Sequence, residues 1–163
     1  VISKTPQHTY QLLTKRAERM AEYFSLRLIP QNVWLGVTVE DTLTKYRIDF
    51  LRNLSAQVKF LSCEPLLCDL GELDLEGVDW IIVGGESGPI ARPMKEEWVL
   101  NIKRQAEQKS IPFFFKQWGT WSKEGVKGNK KKNGKLLQGE VIQQMPKVVH
   151  ENFRNKDQTK FWE

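Results

Sequence analysis

Five short apolar runs recur along the first two thirds of the chain, and they constrain its fold more than any other feature. They occupy residues 10–13, 33–39, 58–61, 80–83 and 111–115. Their composition is typical of strands, and the segments 17–28, 43–54 and 98–106 between them have helical spacing. Residues 66–77 form a looser connection. This alternation predicts parallel strands joined by right-handed crossovers, with functional groups gathered at the carboxyl ends of the strands.

Side-chain alternation indicates how the sheet is covered. In each of three successive strands one face ends on a glutamate, as in Gly36-Thr38-Glu40, while the opposite face stays apolar. An open sheet with helices on both sides is apolar on both faces, whereas a barrel interior becomes polar at its mouth. We therefore expect an α/β fold with a partial, TIM-barrel-like parallel sheet of about five strands. An open flavodoxin-like sheet is the alternative.

Five strands cannot close an eight-stranded barrel, so either further sequence completes the sheet or an exposed edge pairs with a second copy in a homodimer. The chain begins at Val1 rather than at methionine, and an apolar segment follows almost at once. We expect it to be a fragment of a longer protein.

The remaining organisation follows from composition. Residues 1–118 are predicted to form the βα-repeat domain, and 119–146 a lysine-rich loop followed by a small β extension. Asn133-Gly134 is a strong hairpin signal within that extension. Residues 147–163 are highly charged and are expected to form a docking helix or a loose tail.

Net charge is concentrated in one segment. The chain carries +5, and residues 119–135 hold six lysines against Glu124, which accounts for the whole excess. Because Trp118 and Trp121 directly precede the lysines, this segment could stack bases and neutralise phosphates as a nucleic-acid-binding module. A solvated loop is the simpler interpretation.

Localisation signals are absent from the sequence. No segment reaches the roughly 18 apolar residues of a membrane helix, and residues 1–7 do not resemble an export signal. Cys63 and Cys68 lack the spacing of zinc or cluster ligands, and Cys63 is expected on the helix-facing side. We expect a soluble, cytoplasmic protein with reduced structural thiols and no membrane partner.

Three carboxylates form the sharpest candidate site. Glu40, Glu64 and Glu86 end consecutive strands in the same phase, so a curved sheet would bring them to one mouth. Such a group must share protons, bind a cation or pair with bases. A salt-bridge lattice and a ligand site would each meet this requirement. If the ligand is Mg²⁺ or Mn²⁺, a metal-dependent hydrolase or isomerase is one alternative function.

A glycine-rich turn follows the fourth strand. Gly84-Gly85-Glu86-Ser87-Gly88 could let backbone N–H groups approach a phosphate or carboxylate, with Arg92 assisting. The order of residues matches neither the dinucleotide fingerprint nor the P-loop. A plain tight turn is the alternative.

Six sequence blocks together resemble a phage-associated family of uncharacterised bacterial proteins. They are QLLTKR (11–16), NVWLGVTVED (32–41), FLSCEPLL (60–67), VGGESGP (83–89), ARPM (91–94) and PFFFKQWG (112–119). Complete members look like radical S-adenosylmethionine enzymes, with a partial or full (βα) barrel and an N-terminal cysteine cluster for a [4Fe-4S] centre. This chain lacks that cluster.

The resemblance implies that this is the C-terminal barrel portion of such an enzyme. Its partner would be the missing N-terminal part of its own chain, which would supply the [4Fe-4S] cluster, with S-adenosylmethionine as the second cofactor. The chain is then expected to be inactive alone, and its substrate is unknown, with nucleic acid or a nucleotide as one candidate. The predicted catalytic residues are Glu40, Glu64, Glu86 and Lys116, and the predicted substrate- or cofactor-binding residues are Lys15, Arg16, Thr38, Ser62, Gly84, Gly85, Ser87, Arg92 and Gln117.

Overall fold

A five-stranded parallel sheet is the centre of the fold in the computed structural model, which describes residues 2–147. Its strands lie in chain order and every neighbouring pair is parallel. They are β1 (Tyr10–Thr14), β2 (Val33–Thr38), β3 (Val58–Cys63), β4 (Trp80–Gly84) and β5 (Phe113–Gln117). The prediction of an α/β fold with a parallel sheet in successive βα units is confirmed.

Three helices connect strands of the sheet. They are α1 (Ala17–Ser25), α2 (Arg47–Arg52) and α3 (Glu96–Gln108), and a 3₁₀ turn at Thr42–Thr44 precedes α2. The prediction that the first helix extends to Leu28 is wrong, since Leu28 lies in the following loop and is 96% exposed. Residues 26–28 bury no large apolar side chain, since Leu26 is also exposed, so packing does not stabilise a further turn of helix.

The connection between β3 and β4 contains no helix, as its loose pattern predicted. It is nevertheless fixed, because the buried side chain of Gln105 in α3 binds its backbone. The Gln105 Oε1 accepts a hydrogen bond from Leu73 N at 2.8 Å, and its Nε2 donates to the Gly71 carbonyl at 2.9 Å. Leu66, Leu70 and other leucines of this connection then fill the core.

The two faces of the sheet differ as the alternation predicted. Leu35, Val37, Leu61 and Cys63 belong to one large core with the helices. The opposite face carries a separate cluster built on Trp34, Val58, Phe60 and Trp80, with Ile82 and Phe114 beside it. This second face is aromatic toward the amino ends of its strands and polar toward their carboxyl ends, where functional side chains were expected.

The segment after β5 forms a small extension. It contains the short helix α4 (Lys130–Asn133) and a hairpin of β6 (Leu136–Leu137) and β7 (Glu140–Val141). The prediction of a hairpin turn at Asn133-Gly134 is wrong. Asn129 caps the start of α4 and Gly134 ends it with a φ of 69°, so the hairpin turn falls at Gln138-Gly139 instead.

The extension also covers one edge of the sheet. Phe115 N donates to the Ile142 carbonyl at 2.7 Å, and Gln144 N donates to the Phe113 carbonyl at 3.1 Å, so this segment pairs with β5. At the other edge, β1 pairs with β2, and its Leu12 and Leu13 are exposed. The predicted homodimer through an exposed edge stays a prediction.

Two further expectations concern the ends of the chain and the membrane. The predicted helix or tail at 147–163 lies outside the described residues, except for Lys147. Within residues 2–147, none of the helices has the length and apolar content needed to cross a bilayer.

Candidate functional site

The carboxyl ends of the parallel strands place the three predicted glutamates on one edge of the sheet. Thr38 pairs with Ser62, and Cys63 pairs with Val83, which sets the register of the three strands. Glu40 and Glu64 each lie two residues beyond the first pair. Glu86 lies two residues beyond Gly84, the last residue of β4, so all three carboxylates are carried by the segments that directly follow their strands.

Glu40 is held by two cations. Its Oε1 binds the Lys15 ammonium, and its Oε2 accepts a hydrogen bond from Arg47 Nη1 at 2.8 Å. The same Arg47 nitrogen donates to the Thr38 carbonyl at 2.7 Å, which anchors it at the end of β2. The Thr38 side chain is buried, and its predicted ligand-binding role stays a prediction.

Glu64 is held by a hydroxyl and an ammonium. Ser62 Oγ donates to its Oε2 at 3.3 Å, and Lys116 Nζ from β5 lies 3.2 Å from its Oε1. Its carboxylate lies across Gly84, where an added Cβ would be 2.5 Å from Glu64 Oε1. A glycine at position 84 therefore makes room for the carboxylate.

Glu86 has the most complete pairing. Arg92 donates to Glu86 Oε2 from its backbone N at 2.8 Å and from Nε at 2.9 Å, and Arg92 Nη2 donates to Oε1 at 2.8 Å. These hydrogen bonds lower the pKa of Glu86 to about 2, and the charge of Lys15 acts in the same direction. Glu86 is therefore ionised at neutral pH.

The charges of this edge act on one another. Lys15 pairs with Glu40 and also favours ionised Glu86, while the Glu40 charge helps to raise the pKa of Arg92 after the larger effect of Glu86. We call Glu40, Glu64, Glu86 and their cations Lys15, Arg47, Arg92 and Lys116 the carboxyl-edge network.

Burial divides the carboxyl-edge network into two layers. The carboxylate side chains are mostly buried, with 11% of Glu40, 18% of Glu64 and 25% of Glu86 exposed. Their outer partners are much more accessible, with 59% of Lys15, 52% of Lys116 and 59% of Arg92 exposed. The edge therefore presents cations to the solvent and holds them in place with carboxylates beneath.

The glycine-rich turn is tied to the segment after β5. Gly85 N donates to the Gln117 carbonyl at 2.9 Å, and a Cβ on Gly85 would clash with the Trp118 carbonyl oxygen. Gly88 N donates to Thr120 Oγ1 at 2.9 Å. These two N–H groups are used inside the protein and are therefore not available to an anion.

The other predicted site residues are divided between the edge and the surface. Gln117 Nε2 donates to Ser87 Oγ at 3.3 Å, which places both beside the glycine-rich turn. Arg16 is exposed at the start of α1. Cys63 is buried on the helix-facing side, as predicted, and burial raises the pKa of its thiol to about 12.

Sequence reasoning missed Arg47 and Thr120. Arg47 lies seven positions after Glu40, in the first turn of α2. Arg92 follows Glu86 at a similar spacing, so a basic residue shortly after a strand-end glutamate was the signal that could have identified Arg47. Thr120 N donates to the Glu86 carbonyl at 2.9 Å, a contact between distant segments that has no local signal.

The structure gives no set of metal ligands in residues 2–147. No group of three or more His, Cys, Asp or Glu side chains there is placed to hold a metal ion. Each glutamate of the carboxyl-edge network has a basic partner, and the metal-dependent alternative stays a prediction.

Comparison with known proteins gives one result. No curated protein and no solved structure matches the chain. A family model described as "Protein of unknown function (DUF5131)" matches residues 1–146. Since that match covers most of the chain, the protein belongs to the DUF5131 family.

Proposed function

We propose that this chain supplies the substrate- and cofactor-facing wall of a radical S-adenosylmethionine-like enzyme with a partial-barrel fold, in which another segment holds the iron-sulfur cluster. The observation that carries the proposal is the layered carboxyl-edge network, in which three exposed cations are held by buried carboxylates at the functional end of parallel strands. Such an arrangement suits an anionic group, because the cations are already oriented before a ligand arrives.

The described residues do not fit an iron-sulfur cluster. Cysteine thiolates hold such clusters, and Cys63 is buried with a pKa of about 12 in the helix-facing core. Cys68 is the second of the two cysteines, so three closely placed thiolates are not available. No step of the reaction is therefore assigned to a cluster bound by these residues.

The charges of the carboxyl-edge network support binding of S-adenosylmethionine, which carries a carboxylate, an ammonium and ribose hydroxyls. Arg92 and Lys15 would bind its carboxylate, and Glu64 would accept hydrogen bonds from its ammonium or hydroxyl groups. When bound, S-adenosylmethionine would supply the reactive group. The residues of this chain would orient it, and Lys116 would keep the Glu64 carboxylate in position through their ion pair.

The test is anaerobic reconstitution of the full-length protein. We expect it to bind iron and to cleave S-adenosylmethionine, and we expect Glu86→Gln to lower cleavage because Arg92 loses its carboxylate partner. Glu97→Gln is the matched control, since Glu97 is 71% exposed in a surface pair with Lys95. A full-length protein without iron would contradict the proposal, as would equal activity of the two variants.

A further inference from the structure

The lysine-rich segment after β5 carries a strong positive charge on the surface of the extension. Its side chains Lys123, Lys127, Lys130, Lys131, Lys132 and Lys135 are all exposed, and we call them the lysine surface. Outside residues 119–135 the chain has 19 basic and 19 acidic residues, so the charge of the rest of the protein is balanced.

Three of these lysines are held on an ordered turn. Asn129 Oδ1 accepts hydrogen bonds from Lys131 N at 2.7 Å and Lys132 N at 3.3 Å, which starts helix α4. At its end, Asn133 Nδ2 donates to the Gly119 carbonyl at 3.0 Å and fixes α4 to the segment after β5. The ammonium groups are thus displayed from a fixed backbone, which lowers the entropy lost when a ligand binds.

The lysine surface is scarcely neutralised within the protein. In the described part of the chain its one ion pair joins Lys123 and Glu124, at 3.8 Å. Lys130, Lys131 and Lys132 form no ion pair with any described carboxylate. Three adjacent unpaired cations repel one another, and a polyanion that lies across them would relieve that repulsion.

A concave site lies beside these lysines. A cavity of about 380 Å³ is lined by Lys123, Lys127 and Lys132, by the acidic residue Glu124, and by apolar residues that include Val126 and Leu136. Its volume is within the roughly 300–1,000 Å³ range of ligand pockets. Lys127 also donates to the Pro89 carbonyl at 2.7 Å, and an ammonium has further donors for a phosphate.

The extension adjoins the carboxyl-edge network. Trp121 Nε1 donates to the Ala91 carbonyl at 2.6 Å, next to Arg92, and Thr120 N binds the Glu86 carbonyl. Trp118 is buried, so its predicted role in base stacking is wrong. Trp121 is partly buried and tied by its indole N–H, so we expect recognition through phosphates.

We propose that the lysine surface binds the phosphate backbone of a nucleic acid and leads it toward the carboxyl-edge network. A backbone with one charge per nucleotide matches a run of unpaired lysines. Lys127 links this surface to the loop that carries Arg92, since it donates to the Pro89 carbonyl. That a nucleic acid is the substrate rests on the proposed function. Binding itself does not require iron or activity.

The test measures binding of a fluorescent 20-nucleotide single-stranded DNA to the full-length protein by anisotropy over a salt series. Lys130→Gln, Lys131→Gln and Lys132→Gln are combined in one variant. Since the slope of log affinity against log salt is about 0.7 per neutralised phosphate for single strands, we expect the slope to fall by about 2 and the affinity at low salt to fall about tenfold or more.

The control combines Lys4→Gln, Lys95→Gln and Lys109→Gln, which removes the same charge from exposed lysines elsewhere, and circular dichroism verifies that both variants fold. The control is expected to bind nearly as wild type. Salt-insensitive binding, equal losses in the two variants, or equal competition by polyglutamate at matched charge would each overturn the proposal. Loss of iron binding or of S-adenosylmethionine cleavage with DNA binding intact would instead count against the proposed function alone.

Discussion

Arg92 encloses the carboxylate of Glu86 with three hydrogen bonds, one from its backbone N and two from its guanidinium, all at 2.8 to 2.9 Å. Arg92 lies six residues after Glu86, so these hydrogen bonds hold two parts of one loop together. This geometry stabilises the ionised form of Glu86, so the contribution of the pair to the loop conformation depends on pH.

The pH dependence follows from the direction of the Glu86 shift. Its pKa falls from 4.5 to about 2, so its contribution to stability is complete above pH 4.5 and is lost as the pH falls toward 2. Arg92→Gln removes the guanidinium but keeps the backbone N–H donor, so it should raise the pKa of Glu86 toward 4.5 and reduce this part of the acid dependence. Carbon-13 NMR titration of the glutamate carboxyls measures the pKa of Glu86 in the wild-type protein and in Arg92→Gln.

Lys95→Gln is the control for that titration, because Lys95 pairs with Glu97 on the surface. It should leave Glu86 unchanged. Titration of Glu86 near 4.5 in the wild-type protein would contradict the assigned pairing.

Glu40 provides a second comparison, since its two cations differ in burial. Arg47 is 12% exposed and Lys15 is 59% exposed. Arg47→Met leaves the buried Glu40 without its inner partner and should lower the free energy of unfolding by about 3 kcal/mol. Lys15→Met should cost at most about 1 kcal/mol, because an exposed ion pair contributes little.

Urea unfolding of the two variants distinguishes these costs. Equal losses would mean that Arg47 does not stabilise the buried carboxylate more than Lys15 does. A salt series adds a second measure, because screening affects the exposed pair more than the buried one.

The sequence predicted the strands and their phase because each strand is short and has one face on the large core. In β2, for example, Leu35 and Val37 alternate with Gly36 and Thr38. Because successive side chains of a strand point to opposite faces of the sheet, this local pattern assigns each residue to a face without tertiary information. It also placed the glutamates at the carboxyl ends of the strands.

The partners of those glutamates were harder to predict. Lys116 reaches Glu64 across 52 positions, and Thr120 reaches Glu86 across 34, so no local spacing encodes either contact. The Asn133-Gly134 turn failed for the opposite reason. Its local signal was real, but the side chain of Asn129 gave the preceding lysines a helical start, and Gly134 became the end of that helix.

The two cysteines should differ in reactivity. Cys63 is fully buried, and desolvation with the charges of Glu64 and Glu40 raises its pKa to about 12, so almost no thiolate exists at pH 8. Cys68 is only half-buried. Ellman's reagent should therefore label at most one thiol in the native protein.

Single variants identify the reactive thiol. Cys68→Ser should abolish the native reaction and Cys63→Ser should preserve it, while guanidinium chloride should expose both thiols of the wild-type protein. Rapid native labelling in Cys68→Ser would show that Cys63 is accessible and would place it outside the core.

Adjacent glycines give the last prediction. A Cβ at Gly85 would overlap the backbone carbonyl of Trp118, whereas a Cβ at Gly84 would meet the carboxylate end of the Glu64 side chain. The Trp118 backbone cannot move away from this Cβ without shifting the segment after β5, so Gly85→Ala should lower the free energy of unfolding by about 1–3 kcal/mol. Gly84→Ala should be nearly neutral, because the gain of about 0.5–1 kcal/mol from replacing glycine in a strand offsets the displacement of Glu64.

Urea unfolding measures the stability of both variants, and S-adenosylmethionine cleavage by the reconstituted full-length protein measures their function. Gly84→Ala should keep its stability and lose activity, because Glu64 moves away from Lys116. If Gly84→Ala instead lost stability as Gly85→Ala does, the carboxylate of Glu64 would be fixed by more than Ser62 and Lys116, and the network would be a rigid part of the fold rather than a surface adjusted to a ligand.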